Sequence, residues 1–224
     1  IIYANILIRT NKKGSDKWNE AKLWIDKSTE QGNPFANYLS GNAYQYGYFG
    51  EKDLLKAYSA YNEAALDYYP NAQLEVGYFN DIGRVVETDK RLATWWYSLC
   101  SKAKNLHCIR NLGTFFRDGI FVEQNDEIAL NYFKFASDNG HARSTTSLAL
   151  MYWSGKGVEK SFKQANELFH QSCEKRDGEG CNHLGTSYLN GDGFEVDLNK
   201  AKELFIKACN EGNQTGCSNY KDLL

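Results

Sequence analysis

Small and aromatic side chains return along this chain at one fixed interval. Alanine stands at Ala21, Ala57, Ala93, Ala129, Ala165 and Ala201, thirty-six residues apart each time, and four positions later come Ile25, Tyr61, Tyr97, Phe133, Phe169 and Phe205. Sixteen residues before the alanines lie Asn5, Gly41, Gly77, Gly113, Ala149 and Gly185. Gly47, Gly83, Gly119, Gly155 and Gly191 follow in a further column, and after them Asp53, Asp89, Asn125, Ser161 and Asp197. These columns predict two helices per unit. The first is centred on the small residue and closed by a glycine in the left-handed cap conformation; the second is opened by an Asp, Asn or Ser N-cap. Glycine inside a helix costs about 1 kcal/mol against alanine, so its return at Gly41, Gly77, Gly113 and Gly185 implies a close approach of the paired helices, with the aromatic side chain filling the space beside it.

One such hairpin cannot bury both its faces, whereas stacked neighbours share a continuous core. The fold expected is therefore all-α, an α/α superhelical solenoid of six 36-residue helix-turn-helix repeats, forming one domain over residues 1–224. In the first unit Asn5 replaces the small packing residue and Lys17 takes the N-cap slot, as in an imperfect capping repeat. The stretch around and after Cys217, with Lys221 in the glycine slot, supplies a C-terminal capping helix.

Residues 180–208, GCNHLGTSYLNGDGFEVDLNKAKELFIKA, and residues 147–158, SLALMYWSGKGV, carry a recognisable pattern. It runs A-x3-L-G-x2-Y-x2-G-x-G-V, a polar cap, then K-A-x3-[FY]-x2-A, and it resembles that of the bacterial Sel1-like repeats. The resemblance covers the whole chain. Within that family the C-x7-C pairs Cys173/Cys181 and Cys209/Cys217 are similar to those of the cysteine-rich branch. Each joins the end of one repeat's second helix to the start of the next repeat's first, and closing a loop of that size contributes roughly 2.5 kcal/mol on the chain-entropy model. Cys100 and Cys108 keep the spacing one position earlier, in slots that elsewhere hold Ala64 or Ala136 and Ala36 or Ala72. Three matched pairs without an odd cysteine point to an oxidising compartment, the periplasm, the cell surface or the outside of a bacterial cell.

Composition narrows the partners. The chain has 224 residues, 42% hydrophobic and 24% charged, with a net charge of −2, and lacks the basic excess that nucleic acid requires. Its opening apolar run, IIYANILI, is too short to cross a bilayer, so no membrane insertion is expected. A start at Ile1 without methionine is compatible with a removed export signal or with a trimmed chain.

Two chemical alternatives compete with a binding role. His170, Cys173, Cys181 and His183 form an H-x2-C-x7-C-x-H string of two nitrogen and two sulfur ligands, which zinc accepts; the copy at Cys209/Cys217 has no histidine beside it, so a disulfide accounts for both copies and zinc for one. Fragments of the penicillin-recognising motifs occur at Ser101–Lys104, Ser172–Lys175, Ser218–Lys221 and Ser137–Asn139, but K-T-G is absent and the repeat frame scatters the pieces. No catalytic residue, metal or cofactor is assigned.

What remains is a surface. In related helical-hairpin repeats the first helix of each unit faces the concave groove. Those offsets nominate Phe35, Tyr38, Asn42, Gln45 and Tyr46 in one repeat, Tyr78 and Asp81 in the next, and then His107, Arg110, Arg117, Arg143 and Trp153. Most of the fifteen tyrosines have packing work to do whatever their role. The resemblance implies a non-enzymatic, exported protein that holds a protein partner, with two readings for that partner. One is a secreted toxic effector such as a phospholipase, neutralised by an immunity protein; the other is a host protein. A penicillin-directed enzyme is the third alternative.

Overall fold

The computed structural model describes residues 2–223, and among them thirteen helices and no strand occur. After α1 (Ile2–Thr10) and α2 (Asp16–Glu30) the helices alternate regularly. First helices of the repeats are α3 (Pro34–Tyr46), α5 (Pro70–Ile82), α7 (Leu106–Asp118), α9 (Ala142–Ser154) and α11 (Gly178–Asn190). Second helices are α4 (Leu54–Leu66), α6 (Lys90–Lys102), α8 (Asp126–Asp138), α10 (Phe162–Glu174) and α12 (Leu198–Asn210), and α13 (Gln214–Asp222) closes the series. The chain divides into two compact units between Cys108 and Ile109, inside α7.

Every column read from the sequence has a physical counterpart. The six alanines are fully buried, and so are the residues four positions later. The glycine of each first helix lies against that ring: a Cβ added to Gly77, Gly113 or Gly185 would stand 2.7, 2.7 or 2.8 Å from Tyr97, Phe133 or Phe205, and at Gly41 it would overlap Tyr61. The close approach is thus one of helix backbone to ring. Gly47, Gly83, Gly119, Gly155 and Gly191 all have positive φ between 67° and 80°, the region where a Cβ is penalised. Asp53, Asp89, Asn125, Ser161 and Asp197 each accept the backbone N–H three residues on, at 2.8–3.3 Å.

The first unit departs from the frame. Its second helix starts earlier than the Lys17 slot suggests, capped by Ser15, whose hydroxyl accepts from the Trp18 backbone N–H at 3.4 Å. Trp18 in turn donates its indole N–H to the Tyr48 carbonyl at 3.1 Å, tying α2 to the turn of the next repeat.

All six cysteines are paired, as Cys100–Cys108, Cys173–Cys181 and Cys209–Cys217. The Cα–Cα distance is 6.0 Å in the first bridge and 4.6 and 4.5 Å in the other two. The one-position offset of the first pair therefore changes the geometry of the link without preventing it.

Candidate protein-binding face

In the unit ending at Cys108, α3 carries most of the nominated residues. Phe35, Tyr38, Asn42 and Tyr46 line one cavity together with side chains of α1 and the start of α5. Burial pushes the Tyr38 hydroxyl above its ordinary range, against a hydrogen bond to Asn42. Tyr61, buried behind it and pushed up for the same reason, donates its hydroxyl to Asn42 Oδ1 at 3.1 Å. Tyr46 and Tyr78 are exposed, and Gln45 keeps a buried Oε1 without a hydrogen-bond partner. His107 is exposed at the start of α7. Asp81 is spent internally: it pairs with Lys90 Nζ at 2.6 Å and accepts the Tyr97 hydroxyl at 3.3 Å. Sequence reasoning passed over Glu75, whose carboxyl burial pushes up and the nearby Arg84 pulls down.

In the unit starting at Ile109, the three arginines differ. Arg117 binds its own neighbour Asp118 through two bonds, Nε to Oδ1 at 2.7 Å and Nη2 to Oδ2 at 2.8 Å, so much of its charge is neutralised. Arg110 is half-buried, and its Nε is enclosed with no hydrogen-bond partner. Burial lowers its guanidinium below the ordinary range; Glu179 and Asp177 oppose that shift, while Arg143 and Arg117 add to it. Arg143 is exposed. Trp153 is held at the end of α9, donating its indole N–H to Asp192 Oδ2 at 3.4 Å, with Lys160 Nζ 5.7 Å from its ring.

Glu179 and His183 on α11 were not nominated for this face; His183 stood out only in the H-x2-C-x7-C-x-H string, and the five-column frame offers no signal for Glu179. His183 stacks on Phe169 with ring centroids 5.1 Å apart, and burial lowers its basicity. Its string partners Cys173 and Cys181 are committed to a disulfide. Ser172, in the S-x-x-K fragment, is sealed in the core, bonded to Thr146 at 2.9 Å and to the Phe169 carbonyl at 3.0 Å.

A stack of helical hairpins whose first helices present aromatic, amide and guanidinium groups is a protein-interaction scaffold. The chain belongs to the Sel1 repeat family, whose model matches residues 34–67, 70–104, 106–141, 142–177 and 178–213, each match covering one first and one second helix. The unit of α1 and α2 lies outside those matches. Among solved structures, a Sel1 repeat protein from Oxalobacter formigenes superposes with a TM-score of 0.86 at 24% identity, over 99% of this chain and 86% of the other. An immunity protein from Pseudomonas aeruginosa gives a TM-score of 0.56 at 20% identity, over 98% of this chain and 81% of the other. A component of an ERAD-associated E3 ubiquitin-protein ligase of Arabidopsis thaliana, HRD3A, is 36% identical over 75 residues, which is 34% of this chain and spans only 11% of that protein's length.

Proposed function

We propose that this protein is a non-catalytic, exported bacterial binding protein that holds another protein against its first helices, and that it acts as an immunity protein by occluding a toxic effector. The observation that carries the binding role is Arg110. Its guanidinium is half-buried with an enclosed, unpartnered Nε, a desolvation cost that an acidic acceptor at the accessible end of the group would offset. Exposed Arg143 nearby extends the same demand, so an acidic element of a partner is the complementary group. Three disulfides support an oxidising compartment, and the fold shared with the Pseudomonas immunity protein supports the finer role.

The test is affinity capture from the periplasmic and secreted fractions of the native host, followed by binding measurements on the captured protein. Arg110→Gln combined with Arg143→Glu is expected to weaken binding by about thirtyfold or more, on the scale of about 2 kcal/mol for a good anchor. Lys134→Glu, on the exposed side of α8, is expected to change it little. Wild-type affinity in the double variant, with loss in Lys156→Glu or Asp192→Lys, would move the interface to the turns. Effector activity unchanged by a saturating amount of the protein would remove the immunity role.

A further inference from the structure

We propose that the cavity on the unit ending at Cys108 receives the free C-terminus of a polypeptide, its carboxylate and its last, bulky apolar side chain together. This rests on the reading of the first helices as a protein-binding face and assigns to one part of it a kind of ligand. The cavity is about 550 Å³ and opens between α1, α3 and the start of α5, a size suited to a terminal residue and its neighbour.

Its two walls differ in chemistry. The apolar wall is a corner of rings: Tyr69 lies 5.1 Å from Tyr38 and 5.9 Å from Phe35, tilted by 46° and 49°. The polar wall, Asn5, Arg9, Asn42 and Asn71, is biased towards donors, because two of its three amide oxygens are engaged within the protein. Asn42 Oδ1 already accepts from Tyr61, and Asn71 Oδ1 accepts from Asn105 Nδ2 at 3.0 Å. An amide whose oxygen is engaged offers its N–H groups. One of those on Asn42 is shared with the Tyr38 hydroxyl, which leaves the other, and both on Asn71. Arg9, its guanidinium 5.9 Å from the Tyr48 ring centroid, adds donors and a positive charge and has no acceptor at all. No carboxylate is among the described residues lining the cavity; Glu75 acts on Tyr38 and Tyr61 from outside that lining, its own charge disfavoured by burial.

Such a wall needs a ligand that is all acceptor at one end and apolar at the other. A chain terminus meets both conditions. An internal peptide segment brings an N–H with nearly every carbonyl, and a neutral sugar brings hydroxyls that donate as well as accept. A tilted corner of rings also lacks the flat platform on which a sugar face would lie.

Fluorescence anisotropy on the full chain tests this, with fluorescein-labelled Gly-Ser-Gly-Ser-Leu-Phe as the free acid, the same peptide as the C-terminal amide, and an acid ending in Gly-Gly. The first is expected to bind at least about tenfold more tightly than the other two. Arg9→Gln and Asn42→Asp should each erase the difference between acid and amide. Asn42→Asp keeps an acceptor for Tyr61 while replacing the donor by a negative charge, and melting curves check that it folds; Arg9→Gln, at an exposed position of α1, decides the matter if it does not. Equal binding of acid and amide, or no binding of the acid up to about 1 mM, overturns the proposal, as does a neutral tetrasaccharide displacing the acid peptide at lower concentration than the unlabelled peptide does. The double arginine variant separates the two readings. If it loses the captured partner while the wild type ignores all three peptides, the binding face stands and only the terminus pocket falls.

Discussion

Thr146, Ser172 and Asp177 show how one residue's choice constrains others far along the chain. Asp177 occupies the slot in which Asn33, Asn105 and Asn213 cap the first helices, yet it makes no side-chain cap bond. Its carboxylate accepts the Thr146 hydroxyl at 2.5 Å instead, and the Ser172 hydroxyl completes the buried cluster. Gly180 follows from this, since a Cβ there would overlap Ser172 Oγ. Beside this cluster His183 has a testable acid–base consequence. Burial lowers its folded-state value below the ordinary imidazole value of about 6.5, so between the two values the unfolded chain binds a proton that the folded chain refuses. Stability should therefore fall as the pH drops below about 6.5. A His183→Gln variant, followed by thermal melts between about pH 7.5 and pH 5.5, should lose part of that slope; an identical slope would mean that other groups set it. None of this was legible from the repeat columns, because the cluster joins slots that other repeats fill with unrelated residues.

The hairpin was the most legible element, and the turns between hairpins the least. From the second unit on, the Ala, ring, small-residue, turn-glycine and N-cap columns recur in every repeat, and each marks a contact that the repeat needs. A sixth column went unread. Gly32, Tyr68, Lys104, Gly140, Arg176 and Gly212 are also thirty-six apart, and all have positive φ, between 58° and 89°. They form the turn from each second helix into the next first helix. Only half are glycine, which hid the signal; the other three accept a conformation that disfavours a Cβ. Tyr68, largely exposed, gives the cleanest test. Tyr68→Gly should raise stability by about 0.5–1 kcal/mol, relief of strain outweighing the added freedom of the unfolded chain. Chemical denaturation measures it, and a loss of stability would show that the Tyr68 ring contributes more than its backbone costs. The Lys17 slot failed for a related reason: the first unit's helix is set by Ser15, two residues ahead of the frame, and a period built from the later repeats cannot foresee a shift confined to one.

At the scale of the molecule, the solenoid class and the family were legible because a repeat protein is a sum of local units and nearest-neighbour contacts, and both are written in the period. The nominated face was legible only as offsets on a helix. Whether Asp81 or Arg117 is spent on a neighbour depends on Lys90 and Asp118, which no periodicity reports. Nor does the period mark the division inside α7, since it passes through that point without interruption. The bridged turns carry a further consequence, for attack by proteases. Lys102 and Lys104 lie between Cys100 and Cys108, and Lys175 and Arg176 between Cys173 and Cys181. Lys104, Lys175 and Arg176 are exposed, on turns of the kind that trypsin cuts first. A nick at either turn should leave a product that runs at full size on a non-reducing gel and separates into two pieces after reduction; pieces that part without reductant would disprove the pairing. Held by the surviving sulfur bond, the cut ends stay at high effective concentration, so the severed helices can settle back into place. Digestive damage at these turns becomes a tolerated scar, whereas the same cut at an unbridged turn sets a fragment loose.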